Sequence, residues 1–426
     1  MQTHSKNNLN IKKFWEKSVC YFNLFTFLWL FGGGQILLFA SRTQGLWFDG
    51  FYGFFTGAVI VLAILSIVFF GKTLPLTTTN ILLFLAFLIV LLTPVLLSEK
   101  IQATDQNALR RFLLFLPFVV MPSLWGIVFR KDMLNENKLI FLCCIFLAIG
   151  NLLLFRYYLE TALSLFRAGD VSNAIGLSYA FANLWILVLA WSLLRRKTLL
   201  FSLASIVALI NVFLLSTRQS IVYITFVVLL LCFFWMLPFS IRKKPAISIS
   251  FSMRKTRLLA LTLFSLVIIL IALQPVGWAL GKQDIIKNAF ETASLRWTGF
   301  FQAGYTDEVR VQLFKEATEV WREKPILGEF HYHDTPGSYA HHMLVDLLAQ
   351  YGLLGCTVYL ALIFVALKNI IKTGKDNLLD VSFAFMFTAL LFIGMTVTQF
   401  TIDPIFHFLL FYWVANKQVS KEGPSY

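Results

Sequence analysis

Histidine is scarce in this chain, 6 in 426 residues, yet His331, His333, His341 and His342 fall within twelve residues of one another. Imidazole changes charge near neutral pH, so a cluster of this kind points to proton transfer. Three uses compete. One histidine acts as a general acid or base. Alternatively, His331, His333, Asp334 and His341 or His342 bind a metal. That reading is the weaker, because Thr335-Pro336-Gly337-Ser338 would have to fold back tightly and no HExxH spacing is present. The third reading is a set of loop histidines without chemistry, which on these residues alone stands level with the first. A second pattern adjoins the cluster. His342, Asp346 and Gln350 recur every fourth residue on an otherwise apolar helix, which makes a polar stripe. Polar groups at membrane depth are expensive and mark functional sites by default. Asp346 either orients His342 one turn away or balances nearby cations.

The elements that position these residues are membrane helices. Of the chain, 58% is apolar and only 14% charged, too few charges to cover a water-facing surface. A disordered chain, a collagen, a disulfide scaffold and an ordinary cytosolic enzyme are excluded. A span needs roughly 20 mostly apolar residues. Candidates lie at about 19–40, 51–70, 81–98, 112–129, 139–155, 174–194, 199–215, 220–239, 258–275, 343–367, 380–397 and 401–415. The expected fold is all-α, a polytopic membrane protein of about twelve transmembrane helices. Residues 1–275 hold the first nine spans, 276–342 form one large helical loop, and 343–426 hold the last three spans and a tail. The first apolar run is too long for a signal-peptide core and is expected to be retained. The five cysteines lie in or beside spans and read as small apolar residues. No Walker or dinucleotide glycine pattern occurs.

Within the loop, Val309, Leu313, Phe314, Ala317, Val320 and Trp321 share one face of a helix over about 307–324. Thr306 caps its start and Pro325 stops it. The expectation is a helix lying over the membrane mouth with its apolar face down. A second helical stretch, about 284–297, ends near Arg296-Trp297.

Charge fixes the orientation. With the N-terminus inside, the inner segments carry 22 Lys and Arg against 6 acids, and the outer segments 14 against 16. The clusters Arg195-Arg196-Lys197, Arg242-Lys243-Lys244 and Arg254-Lys255-Arg257 all fall inside. This follows the positive-inside rule and places both termini in the cytoplasm. The net charge of +14 then needs no nucleic-acid partner, because anionic membrane lipids account for it.

The segment His341-His342-Met343-Leu344-Val345-Asp346-Leu347-Leu348-Ala349-Gln350-Tyr351-Gly352-Leu353-Leu354-Gly355 resembles the signature of the O-antigen ligase and polymerase family. That signature runs His-Asn-x-x-Leu-x-x-Leu-x-x-x-Gly-x-x-Gly. His341, Leu348, Gly352 and Gly355 match, whereas His342 replaces Asn and Val345 replaces the first Leu. Two further pieces resemble the family. Arg310 precedes an amphipathic helix that ends in Pro325-Ile326-Leu327-Gly328. Ser216-Thr217-Arg218-Gln219 places an arginine after small hydroxyl residues at the outer start of a span. The likeness covers roughly residues 200–370 by motif and the rest by topology.

The resemblance implies transfer of a glycan from undecaprenyl diphosphate on the periplasmic side of the bacterial inner membrane. The acceptor is a hydroxyl of the lipid A core for a ligase, or a second lipid-linked glycan for a polymerase. The diphosphate requires fixed cations, and guanidinium binds phosphate bidentately. Arg218 and Arg310 are expected there, with Arg296 in reserve. His341 is expected to accept the hydroxyl proton, with His342 and Asp346 beside it. The activated donor requires neither ATP nor a metal, and no cofactor is expected. Against these roles, Arg218 has the use of an interfacial anchor and Arg310 that of a partner for Glu308 or Glu316. A transporter or flippase is less favoured, since matched broken helices and deeply placed charges are not evident in the sequence. A scaffold role has no positive support.

Overall fold

The structure is a computed structural model. It describes residues 17–43, 49–70, 77–98, 101, 106–129, 131, 134–161, 171–195, 197–214, 218–236, 308–330, 342–373, 377–394 and 403–415. Every element among the described residues is helical. In chain order these are α1 (Lys17–Ser41), α2 (Asp49–Phe70), α3 (Thr78–Leu97), α4 (106–128), α5 (Glu136–Thr161) and α6 (Val171–Leu194). They continue as α7 (Thr198–Leu214), α8 (Arg218–Met236), α9 (Glu308–Glu323), α10 (Met343–Thr373), α11 (Leu378–Gly394) and α12 (Pro404–Ala415). Of the described helices, α1, α2, α3, α5, α6 and α10 are long and apolar enough to cross a membrane, and α4, α7, α8, α11 and α12 hold shorter apolar stretches. All but α9 coincide with expected spans. The expected span at 258–275 and the stretch at 284–297 lie outside the described residues.

The helices expose apolar side chains outward, among them Phe54 and Phe69 on α2 and Leu82 and Leu96 on α3. Such surfaces suit a bilayer and not water. Inside, aromatic rings fill the core. Trp125 of α4 packs against Phe408 of α12 with centroids 4.5 Å apart, and Phe27, Phe31, Phe129 and Phe383 surround them. Several buried polar groups are paired across helices. Asn211 donates to Asn151 Oδ1 at 2.5 Å, Tyr223 to Asn183 at 2.8 Å, and Trp125 Nε1 to Asn23 Oδ1 at 3.1 Å. Each such bond contributes on the order of 1 kcal/mol in a membrane interior.

Two helices are interrupted, contrary to the sequence expectation. In α1 a wide turn over Trp29–Gly33 places Gly32 at φ 156°, where a Cβ would lie 2.8 Å from the Ala180 carbonyl of α6. In α10 the break is at Gly352, φ 61° and ψ −166°. Hydropathy reports how long an apolar run is, and it is blind to a single residue's dihedrals.

Cross-links order the two ends of the bundle. Toward its C-terminus α10 carries Asn369, which donates to the Trp413 carbonyl of α12 at 2.8 Å. The neighbouring Tyr412 donates to Asp380 Oδ1 at 2.5 Å, and Lys131 Nζ meets Asp380 Oδ2 at 2.5 Å. The start of α10, with His342, lies at the opposite end.

Candidate functional site

The site begins with the break in α10. Residue 352 adopts a combination of φ and ψ that only glycine occupies readily. An interruption leaves carbonyls on one side and N–H groups on the other without helical partners. The turn following α9 supplies them. Pro325 stops α9, and its carbonyl accepts from Leu353 N at 2.8 Å. The Ile326 carbonyl accepts from Leu354 N at 3.1 Å, and Glu329 N donates to the Ala349 carbonyl at 2.7 Å. Gly328 turns the chain at φ 70°. A Cβ at Gly352 would lie 2.2 Å from the Ile326 oxygen, and one at Gly328 would lie 2.6 Å from the Ala349 oxygen. Side chains are excluded on both faces of the contact. Pro325-x-x-Gly328 and Gly352-x-x-Gly355, two separate sequence patterns, are therefore the two halves of one joint.

A third helix is fastened to it. Ser98, at the end of α3, donates to Glu329 Oε1 at 2.8 Å, and Lys324 pairs with the other carboxylate oxygen of Glu329. Ser98, Lys324 and Glu329 were not singled out by sequence reasoning. The one available signal was that Glu329 directly follows the Pro-x-x-Gly pattern.

The polar stripe sits on the first half of α10. The His342 carbonyl accepts from Asp346 N at 2.9 Å, so this residue leads directly into the helix. Asp346 is 1% exposed and Gln350 is equally buried. His342 is half-buried, and among the described residues its Nδ1 has no hydrogen-bond partner. Its ring meets Phe314 of α9 edge-on, centroids 6.2 Å apart. Helix α9 packs on α10 through Ala317 against Ala349, flanked by Val320 and Val345. Arg310 lies in the first turn of α9, one turn before Phe314. The joint thus brings the start of α9 to the start of α10.

Arg218 opens α8, which packs mainly on α6, α7 and α11. For Arg218 and Arg310 the described part is the helical main chain. His341, Arg296, His331, His333 and the preceding Ser216-Thr217 lie outside the described residues. Among the described residues no three His, Cys, Asp or Glu side chains are grouped to hold a metal. A polar group that the sequence did not flag lies deeper. His407 of α12 pairs through Nε2 with Tyr359 of α10 at 2.9 Å and through Nδ1 with the Asp403 carbonyl at 2.7 Å.

Chemically, the arrangement sets a partly accessible imidazole and a buried carboxylate one turn apart on a rigid support. That suits a proton acceptor at the edge of an apolar bundle. No protein-family model matches the chain, and no curated protein matches it.

Proposed function

We propose that this chain is a bacterial inner-membrane glycosyltransferase of the O-antigen ligase kind, with both termini in the cytoplasm, about twelve spans and its site on the periplasmic face. The observation that carries the reading is the α9–α10 joint. Two of the three patterns on which the resemblance rests meet there, and the same packing of α9 on α10 sets Phe314, one turn after Arg310, against His342. The donor is an undecaprenyl-diphosphate-linked glycan and the acceptor a hydroxyl of the lipid A core. Arg218 and Arg310, with Arg296 in support, hold the diphosphate. His341, next to His342 and Asp346, takes the proton as the hydroxyl oxygen bonds to the anomeric carbon. The bond from that carbon to the diphosphate oxygen breaks, and undecaprenyl diphosphate leaves. The joint supports the reading physically, because proton transfer requires geometry held within a fraction of an ångström.

The test is a deletion strain whose lipopolysaccharide is resolved on a gel. Loss of every long chain from the core, with lipid-linked polymer accumulating, is the expected result. Core bearing a single repeat assigns the chain to the polymerase reaction instead, and undecaprenyl-linked units trapped on the inner face assign it to transport. Complementation with His341→Ala or Arg218→Ala should fail although the protein inserts. Normal surface polysaccharide with either variant would remove that residue from the site.

A further inference from the structure

Helix α9 has more apolar surface than its packing uses. Ala317 and Val320 face α10, and Leu313 is partly buried. Gln312, Glu316, Glu319 and Glu323 form a polar side, with Gln312 bonded to Glu316 at 2.8 Å. A third edge carries Val311 and Phe314, both 43% exposed, with the exposed cations Lys315 and Arg322 alongside. Ile326, in the turn that follows, is 66% exposed.

We propose that this third edge is inserted in the phospholipid leaflet at the His342 end of the bundle, so that α9 lies in the headgroup layer as an interfacial helix. Continuity identifies the occupant. The Ile326 carbonyl is bonded to Leu354 N, which places Ile326 beside the exposed Leu353 and Leu354 of α10. Ser98, bonded to Glu329, places the same turn level with the exposed Leu96 and Leu97 that end α3. Both α3 and α10 are long and apolar enough to cross a membrane, so the apolar edge of α9 extends their outward surface at its rim. The charges agree. Lys315, Arg322 and Lys324 border the apolar edge, where cations reach lipid phosphates, and the acids Glu319 and Glu323 lie on the other side. His342, in contact with Phe314, then sits at headgroup depth, where the charged part of a lipid-borne molecule travels. This inference rests on membrane insertion alone and does not depend on glycan transfer.

The test uses the full chain in vesicles of phosphatidylethanolamine and phosphatidylglycerol. Single cysteines at 311, 314 and 326, and at 312, 319 and 323, carry an environment-sensitive fluorophore. The background is Cys20→Ser with Cys232→Ala, since Cys20 is exposed whereas Cys143, Cys144 and Cys356 are buried, and its own signal is subtracted. Quenching by acyl-chain spin-labelled lipid is expected to be at least about two-fold stronger for Val311→Cys, Phe314→Cys and Ile326→Cys, and iodide should quench the other three more. Equal lipid quenching in both sets overturns the proposal. So does shielding of the first set from both quenchers, which would mean that protein covers the edge. If Phe314→Cys does not fold, Val311→Cys and Ile326→Cys decide.

Discussion

The two ends of the bundle are tied by different chemistry. At the end away from His342 most of the ties are side chains carrying charge, with Asn369 bonding the Trp413 carbonyl besides. Lys131 and Tyr412 converge on Asp380, Arg195 meets Glu136 at 3.3 Å, and Lys138 stands 4.8 Å over the Tyr21 ring. At the His342 end the central ties are main-chain hydrogen bonds around Gly328 and Gly352. The first kind depends on charge and tolerates adjustment of the backbone. The second depends on backbone shape and is indifferent to charge. A main-chain joint also fixes a helix more rigidly than long side chains do, because they lose rotamer freedom in forming each contact. On the proposed reading the reacting groups require rigidity, and the polar stripe stands at the end tied through the main chain.

Substitutions separate the two. Gly352→Ala should have the largest effect. It combines a strained dihedral with a Cβ 2.2 Å from the Ile326 oxygen, and a loss of about 4 kcal/mol or more is expected. The monodisperse folded fraction in detergent should collapse, and a variant of wild-type stability would refute the account of the joint. Asp380→Ala comes next, at about 3 kcal/mol, because it removes the carboxylate that Tyr412 donates to and that Lys131 pairs with. Thermal unfolding should shift down while glycan transfer per folded molecule is kept. Loss of transfer in folded Asp380→Ala would show that the ends are not separable. Ser98→Ala removes one side-chain bond to Glu329 and should cost about 1 kcal/mol by the same unfolding measurement. Lys324→Ala removes an exposed partner of Glu329, and a change below about 0.5 kcal/mol is expected. A larger loss there would mean that charge matters at this end too.

Much of the helical framework was readable because apolar runs and helix stops are local. Pro325 ended α9 as expected, and α8 starts at Arg218, two residues before the expected start of its span at 220. The face of α9 was read only in part. Ala317 and Val320 pack inward, yet Phe314, assigned to the same face, is substantially exposed and touches His342. Helical periodicity groups residues by angle and does not say how wide the partner surface is. The break at Gly352 was hidden for a different reason. Its glycine was read as a position in a pattern, while the cause of that glycine, the Ile326 carbonyl, lies in another segment. Asp380 with Lys131 was equally hidden, because pairing between distant loops leaves no periodic trace. The roles proposed for Arg218, Arg296, Arg310 and His341 rest on the resemblance together with the placement of the helices that carry Arg218 and Arg310.

The joint in α10 also has an order in time. Synthesis runs from the N-terminus, and the groups that complete the break, Ser98, Pro325, Ile326 and Glu329, all precede residue 342. When α10 leaves the ribosome, the partners for its stranded carbonyl and amide groups have already been made. These three bonds draw on nothing in α11 or α12, so Leu353, Leu354 and Ala349 need not wait for the last two helices to find their partners.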